Sequence, residues 1–358
     1  MAPILFLHIP RTAGMSLKRM CVEALGANRC LTDVHFLRVE REHGVDLDAY
    51  EFVEGHVVAG FFGATTADEY WPSRGFTILR DPVARVVSQA VHARHRPDQV
   101  RGDEWREALR AEVTDPHVLF ERVSALCDLQ TRQLGFPPFR WPHRVADESA
   151  FEAAVALLEH LPFGLTEAFP ASVALFADRF GLRLPRVVRT NASVADRDAD
   201  LRSPEFAAAA RERNAFDLRL YERAAALFGE RAHEHAEELL ALPADEAVLE
   251  VAVAGPAGRD VDAVSVATGV SEVSLRGTAL LDGRPADVVL IRIGEEVVPA
   301  GGRYASARLA ERTGDPDHRF AGFEGTFAIP AGVTEMEVIA VDRSRRRRGS
   351  AEIAVVRA

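Results

Sequence analysis

The run Leu5–Leu17, LFLHIPRTAGMSL, constrains this chain more than any other stretch. An apolar segment breaks into a short loop with Pro10, Thr12 and Gly14, and a helical pattern begins at once. Strand, turn and helix start lie so close together that backbone N–H groups and the positive end of the helix dipole converge. That arrangement suits a bound anion. A second stretch, Phe76–Arg94 (FTILRDPVARVVSQAVHAR), repeats the pattern. The strand FTIL runs into Arg80, Asp81 is the expected N-cap, and Pro82 the first helical residue. Arg80 is then at the carboxyl end of a strand, where open α/β sheets bind ligands, and Ser88 follows on the helix. Two anion sites at two strand ends point to a ligand with two separated phosphate groups.

Around these segments, residues 3 to about 242 alternate between strand and helix signals. Strands are expected at ILFLHI, around Phe52 to Val58, and at FTIL. Helices are expected at Ser16 to Leu25, Val83 to Arg94, Phe151 to Leu161, Ala171 to Phe180, and Pro204 to Leu242, the last as two helices. Such alternation predicts an α/β domain over residues 1–242, a P-loop-like parallel sheet with flanking helices. The texture changes near Leu242-Pro243-Ala244-Asp245. Beyond it, period-two runs such as VLEVAVA, VSEVSLRGTALL, ADVVLIRI and MEVIAV are separated by Gly, Pro and Asp. They predict a C-terminal all-β sandwich of about seven strands over residues 245–358. The run Arg345 to Arg348 is expected as a solvated turn between the last two strands.

Several motifs fall in an order that resembles a known family. HIPRTAGMSL resembles the 5′-phosphosulfate loop of carbohydrate sulfotransferases, usually written HIPKTGGTSL. LRDPVARVVS is similar to their 3′-phosphate segment. Gly55-His56-Val57 with Gly60 resembles their GHVxxG segment. LQTRQL (Leu129–Leu134), FGLTE (Phe163–Glu167) and DLRLY (Asp217–Tyr221) follow in the family's order. The resemblance covers roughly residues 3 to 235. In the C-terminal part, Leu275 to Val298 resembles immunoglobulin-like modules appended to sugar-active bacterial enzymes.

The resemblance implies a donor, 3′-phosphoadenosine 5′-phosphosulfate, and transfer of its sulfonyl group to a hydroxyl of a carbohydrate or glycan-like acceptor. It implies cofactor contacts from Arg11, Thr12, Ala13, Gly14, Met15, Ser16 and Leu17, from Arg80 and Ser88, and from Arg189 in a late loop. Arg11 also takes the catalytic place of the family's lysine, which contacts the 5′-phosphate and the leaving oxygen. His56 is the candidate general base, because an imidazole accepts a proton near neutral pH. His92, one turn beyond Ser88, competes for that role or faces the acceptor, and Arg132 is a second candidate acceptor contact. His8 is expected to be buried and hydrogen-bonded; His233 and His235 are expected in solvent. Arg85 is read as either supporting the phosphate clamp or solvated.

Two positions depart from the family pattern. Arg11 replaces lysine, keeping the charge but changing a point charge into a planar fork. The chain favours arginine throughout: Lys18 is its only lysine. Met15 replaces threonine and removes a hydroxyl from the loop.

Composition closes off other classes. The net charge of −11 argues against a general nucleic-acid binder. No apolar run approaches the ~20 residues that span a bilayer, and the N-terminus has no signal-peptide pattern. Three cysteines, Cys21, Cys30 and Cys127, fit no zinc spacing and suit a reducing compartment. A cytosolic protein is expected. No HExxH, paired CxxC or EF-hand loop is present, so no metal is required. Two alternatives stay open: a nucleotide or sugar kinase, although GxxxxGK[ST] is missing, and a catalytically lapsed nucleotide- and glycan-binding protein.

Overall fold

A computed structural model describes residues 3–34, 47–66, 71–99, 104, 107–108, 115–136, 145–182, 184, 198–242, 249–254, 260–261, 263–266, 272–281, 283–286, 288–300, 302–304, 314, 322–342 and 347–357. The chain divides into two compact units. One comprises Met1–Glu167 with Arg189–Phe228, the other Ala168–Val188 with Gly229–Ala358.

The first unit is built on a parallel sheet of β1 (Ile4–Leu7), β2 (Cys30–Val34), β3 (Phe52–Gly55), β4 (Gly75–Leu79) and β5 (Phe163–Leu165), in the order β2-β3-β1-β4-β5. Helices α1 (Gly14–Leu25), α2 (Ala59–Thr66), α3 (Pro82–His95), α4 (Pro116–Arg122), α5 (Leu129–Gly135) and α6 (Glu148–His160) supply the crossovers and flanks. The chain leaves β1 toward β2 and β3, and leaves β4 toward β5. Connections that depart in opposite directions from two adjacent strands open a crevice at their carboxyl ends.

Register sets what faces that crevice. Phe6 lies beside Glu54 on β3 and Phe76 on β4. Side chains alternate faces along a strand, so one face carries Phe6 then His8, Phe52 then Glu54 then His56, and Phe76 then Ile78 then Arg80. The aromatic end is core: Phe6 stacks on Phe76 with ring centroids 4.7 Å apart. The polar end is the candidate site.

Helix α3 shows why an amphipathic pattern matters here. Asp81 caps it by accepting a hydrogen bond from the Ala84 N–H, 2.8 Å, with Pro82 in the first turn, as expected. Val86, Ala90 and Ala93 form its buried stripe, packed with Leu119 and Phe120 of α4 and with Phe206, Ala209 and Ala210 of α8 (Pro204–Glu212). Ser88 and His92, one turn apart, lie off that stripe. The expected pair of helices at Pro204 to Leu242 is α8 and α9 (Ala215–Leu240).

The second unit contains α7 (Phe169–Arg179), the later part of α9 and a β region in two sheets. One sheet runs β13 (Gly302–Tyr304), β14 (Gly322–Ala328), β9 (Glu272–Leu281), β6 (Leu249–Ala254), β7 (Asp260–Val261), with β10 (Arg284–Pro285) beside β9. The other runs β12 (Glu296–Pro299), β11 (Val288–Ile293), β15 (Glu335–Asp342), β16 (Arg347–Arg357), β8 (Ala263–Val266). Among the described residues, all pairings are antiparallel except β16 with β8. Val289, Ile291 and Ile293 of β11 and Val338 and Ala340 of β15 meet Leu275 and Ala279 of β9 and Phe323 and Phe327 of β14. The intervening Val288, Leu290, Ile339 and Val341 pack with Leu239 of α9. β11 and β15 are therefore buried on both faces along most of their length, and these two strands read as nearly continuous apolar runs. Eleven strands are present among the described residues, not seven, because short edge strands such as Asp260–Val261 carry no alternating signal.

One expectation for this unit fails. His233 is exposed, but His235 is buried near Asp178. Residues two apart on a helix point to different faces, so one ring can be in water while the other is packed. Of the arginine run, Arg348 donates from Nε to the Leu242 carbonyl, 3.1 Å; residues 345–346 lie outside the described residues.

Candidate functional site

The loop between β1 and α1 is strained in a specific way. Arg11 (φ 70°) and Ala13 (φ 66°) both occupy the left-handed region, which costs each residue about 1–2 kcal/mol. Alternation of this kind points successive N–H groups into one concavity that attracts anions. Thr12 is fully buried and donates its hydroxyl to the Ile9 carbonyl, 2.9 Å, which braces the loop from within. Helix α1 has no side-chain N-cap and no acidic residue in its first turn, so its positive end is not neutralised by its own sequence. Gly14 is required by contact: a Cβ there falls 2.2 Å from Cδ2 and 2.3 Å from Nε2 of His8. Ser16 and Leu17 are buried, and Met15 is exposed.

Arg11 and Arg80 meet across the β1/β4 crevice. Arg80 donates to the Arg11 carbonyl, 3.0 Å, and Arg11 Nε donates to Ser88 Oγ, 3.1 Å. Burial lowers the pKa of Arg11, and the neighbouring Arg80 guanidinium lowers it further. Burial also lowers that of Arg80, against the pull of Glu167 and Asp81. Arg80 Nε is buried with no hydrogen-bond partner among the described residues. His92 titrates below its ordinary value, through burial and then the charge of Arg11. Arg11, Arg80, Ser88 and His92 therefore form one electropositive group from two loop–helix segments 69 or more residues apart.

His56 follows β3, the strand on the other side of β1 from β4, and is half-buried. Its Nδ1 is 2.8 Å from the His8 carbonyl oxygen. A carbonyl only accepts, so Nδ1 carries the proton and the lone pair belongs to Nε2. The His8 and His56 rings lie 4.1 Å apart. His8 is buried, as expected, and hydrogen-bonds through Nδ1 to Glu54. Glu54 is fully buried and also accepts from the Asp33 N–H, 2.9 Å, with Lys18 Nζ 3.8 Å away. Burial alone would raise the Glu54 pKa. The hydrogen bond and charge of His8, the Asp33 N–H and Lys18 outweigh it and hold the carboxyl well below the usual range. The chain's single lysine is thus buried beside this carboxylate, also paired with Asp33 at 2.9 Å. His8, Glu54 and His56 bring one possible metal-ligand atom each within 4.8 Å of one another. In both rings, however, Nδ1 is engaged within the chain.

A ring of side chains supports Arg80 from behind. Thr166 bonds the Leu79 carbonyl through both its N–H, 2.8 Å, and its hydroxyl, 3.0 Å. Glu167 accepts from the Asp81 N–H, 3.2 Å, and from Tyr221, 2.8 Å. Gln130 bonds both backbone groups of Arg80. The residues of FGLTE, DLRLY and LQTRQL are therefore scaffold for the strand ends.

Arg132, an expected acceptor contact, and Arg85, read as either clamp support or solvated, are both interior. Arg132 is 2% exposed and donates to the Ser124 carbonyl, 2.6 Å. Arg85 is fully buried, not solvated; it donates to the Leu126 carbonyl, 3.2 Å, and burial pushes its pKa down to about 10 against the pull of Asp217. Arg189 lies outside the described residues. Glu54, Gln130 and Gln133 were not singled out from the sequence. The alternation Phe52-x-Glu54-x-His56 beside Phe6-x-His8 is the signal that places Glu54 on the site face.

No protein-family model matches this chain, and a search of curated proteins finds no significant match. Among the described residues, no helix is long and apolar enough to cross a membrane.

Proposed function

We propose that the α/β unit is a sulfotransferase that moves a sulfonyl group from 3′-phosphoadenosine 5′-phosphosulfate to a hydroxyl of a carbohydrate or glycan-like acceptor. One observation carries this reading: Arg11 and Arg80 meet at the β1/β4 crevice, and the neighbouring strand β3 leads into an imidazole whose Nδ1–H is committed to a carbonyl. The loop N–H groups and Arg11 would hold the 5′-phosphosulfate. Arg80 and Ser88 would hold the 3′-phosphate, where a guanidinium gives paired charged hydrogen bonds.

In the reaction, the acceptor oxygen forms a bond to sulfur as the bond from sulfur to the bridging phosphate oxygen breaks. The acceptor proton passes to His56 Nε2. Negative charge develops on the departing 5′-phosphate, and Arg11 with the α1 N-terminus stabilises it. Adenosine 3′,5′-bisphosphate is the second product. Three cysteines that form no disulfide support a reducing, cytosolic setting.

Transfer of labelled sulfate to a panel of sugars tests the reading with wild type, His56→Ala and Arg11→Ala. Wild type is expected to sulfate at least one sugar, and His56→Ala to lose about 10²–10⁴-fold in rate. Full turnover by His56→Ala with chemistry rate-limiting removes the base assignment. Tighter binding of ATP–magnesium than of the bisphosphate favours a kinase. Bisphosphate binding without transfer to any acceptor favours a binding protein.

A further inference from the structure

Helix α5 carries the sequence LQTRQLG and reaches the strand ends through two amide side chains on one face, Gln130 and Gln133, each 1% exposed. Gln130 Oε1 accepts from the Arg80 N–H, 2.9 Å, and its Nε2 donates to the Arg80 carbonyl, 2.9 Å. The amide pairs with the Arg80 peptide as a neighbouring strand would, just where β4 has ended. Gln133 does the corresponding work between β1 and β3. The last rung of that ladder is the His8 N–H to the Gly55 carbonyl, 3.0 Å. Beyond it, Gln133 Nε2 donates to the carbonyls of Val57, 3.1 Å, and His8, 3.4 Å. Both neighbours accept only, which sets the orientation of the amide. The His8 carbonyl is the same one that takes the His56 Nδ1 proton.

We infer that Gln130 and Gln133 are positioning residues with separable tasks: Gln130 holds Arg80 for an anion, and Gln133 fixes the carbonyl that selects the His56 tautomer. The inference on Gln130 rests on the proposed donor site. The one on Gln133 does not. Loss of Gln133 frees the carbonyls of residues 8 and 57 to move apart, and the His56 Nδ1–H bond loses its defined acceptor. Helix α5 itself is anchored independently, by Asp217 accepting from the N–H groups of Gln130, 3.2 Å, and Thr131, 2.7 Å. Side-chain replacement at 130 or 133 therefore leaves the helix cap in place.

The test compares Gln130→Met and Gln133→Met, close in size to the original, with wild type. Calorimetry measures the Kd for adenosine 3′,5′-bisphosphate without metal, and long-range ¹⁵N–¹H spectra report the His56 tautomer. Thermal unfolding identifies folded variants, and Gln133→Asn serves as a second variant if Gln133→Met is not folded. Gln130→Met is expected to weaken bisphosphate binding about 5- to 30-fold, as two lost hydrogen bonds imply, with His56 still protonated at Nδ1. Gln133→Met is expected to give mixed His56 tautomers with Kd within about 3-fold of wild type. Folded variants that change neither readout, or each change both, overturn the proposal. If wild type does not bind the bisphosphate, the donor site is wrong and the Gln130 task with it. The His56 spectra then decide the Gln133 task alone.

Discussion

Glu54 is a buried carboxylate that meets His8 on one side and Lys18 with the Asp33 N–H on the other. Its carboxylate gathers the His8 ring, the Asp33 N–H and Lys18 and is held well below the usual range, so Glu54→Gln is expected to cost about 3 kcal/mol at pH 7, read from denaturant unfolding. Its folded pKa is depressed, so this contribution is present above about pH 4.5 and is lost as pH falls through the folded value. Wild type should therefore lose stability on acidification more steeply than Glu54→Gln, and parallel curves contradict the assignment. Gly14→Ala drives a methyl into the His8 ring. Overpacking of this kind costs about 1–3 kcal/mol, and because it displaces the loop it should weaken bisphosphate binding as well. Arg11, Arg80 and Ser88 stand in segments whose loop and cap chemistry has a local signature, while His56 stands out in the sequence only through the GHVxxG resemblance. Arg85 and Arg132 carry no local sign of their burial. An arginine reads as surface or site from sequence, and only the packing around α3 and α5 shows that these two are interior.

Helices α5 and α9 start face to face and cap each other. Asp217 accepts from α5, while Asp128, at φ 43°, accepts from the Asp217 N–H, 2.9 Å. Burial, reinforced by Asp217, pushes the Asp128 pKa up to about 6 despite those hydrogen bonds. The sign is opposite to that of Glu54. A raised carboxyl pKa disfavours the folded state as pH rises from about 4 to about 6. Asp128→Asn keeps an acceptor and tolerates the left-handed backbone. Its stability relative to wild type is expected to rise over that interval, by about 3 kcal/mol in full, measured by unfolding at pH 4 and pH 7. No change in the difference removes the raised carboxyl from the account. At this scale the sequence places helices and long strands well, since hydrophobic period carries them. β2 and β5 escape it. CLTDV mixes polar and apolar residues without alternation, and FGL is three residues long. Both join the sheet through tertiary pairing with β3 and β4.

In the whole molecule, a parallel sheet ends in an electropositive crevice, and a second unit buries a β-sandwich on its own core. The strand order, unlike the presence of strands, could not be read from the chain, because it depends on which crossovers the sheet accepts. It nevertheless brings His56, Arg11 and Arg80 to three adjacent strand ends, β3-β1-β4. Adenosine 3′,5′-bisphosphate at about a hundred times its Kd should stabilise the folded chain by about 2.7 kcal/mol without metal, seen as a rise in melting temperature. The central claim is that Arg11 and Arg80 grip one ligand jointly. A calorimetric double-mutant cycle with the bisphosphate on wild type, Arg11→Ala, Arg80→Ala and the double variant tests it most directly. One molecule should bind per chain, with each single variant weakened tenfold or more and the double variant losing clearly less than the two losses combined. Fully additive losses, or binding indifferent to both arginines in folded protein, would contradict it.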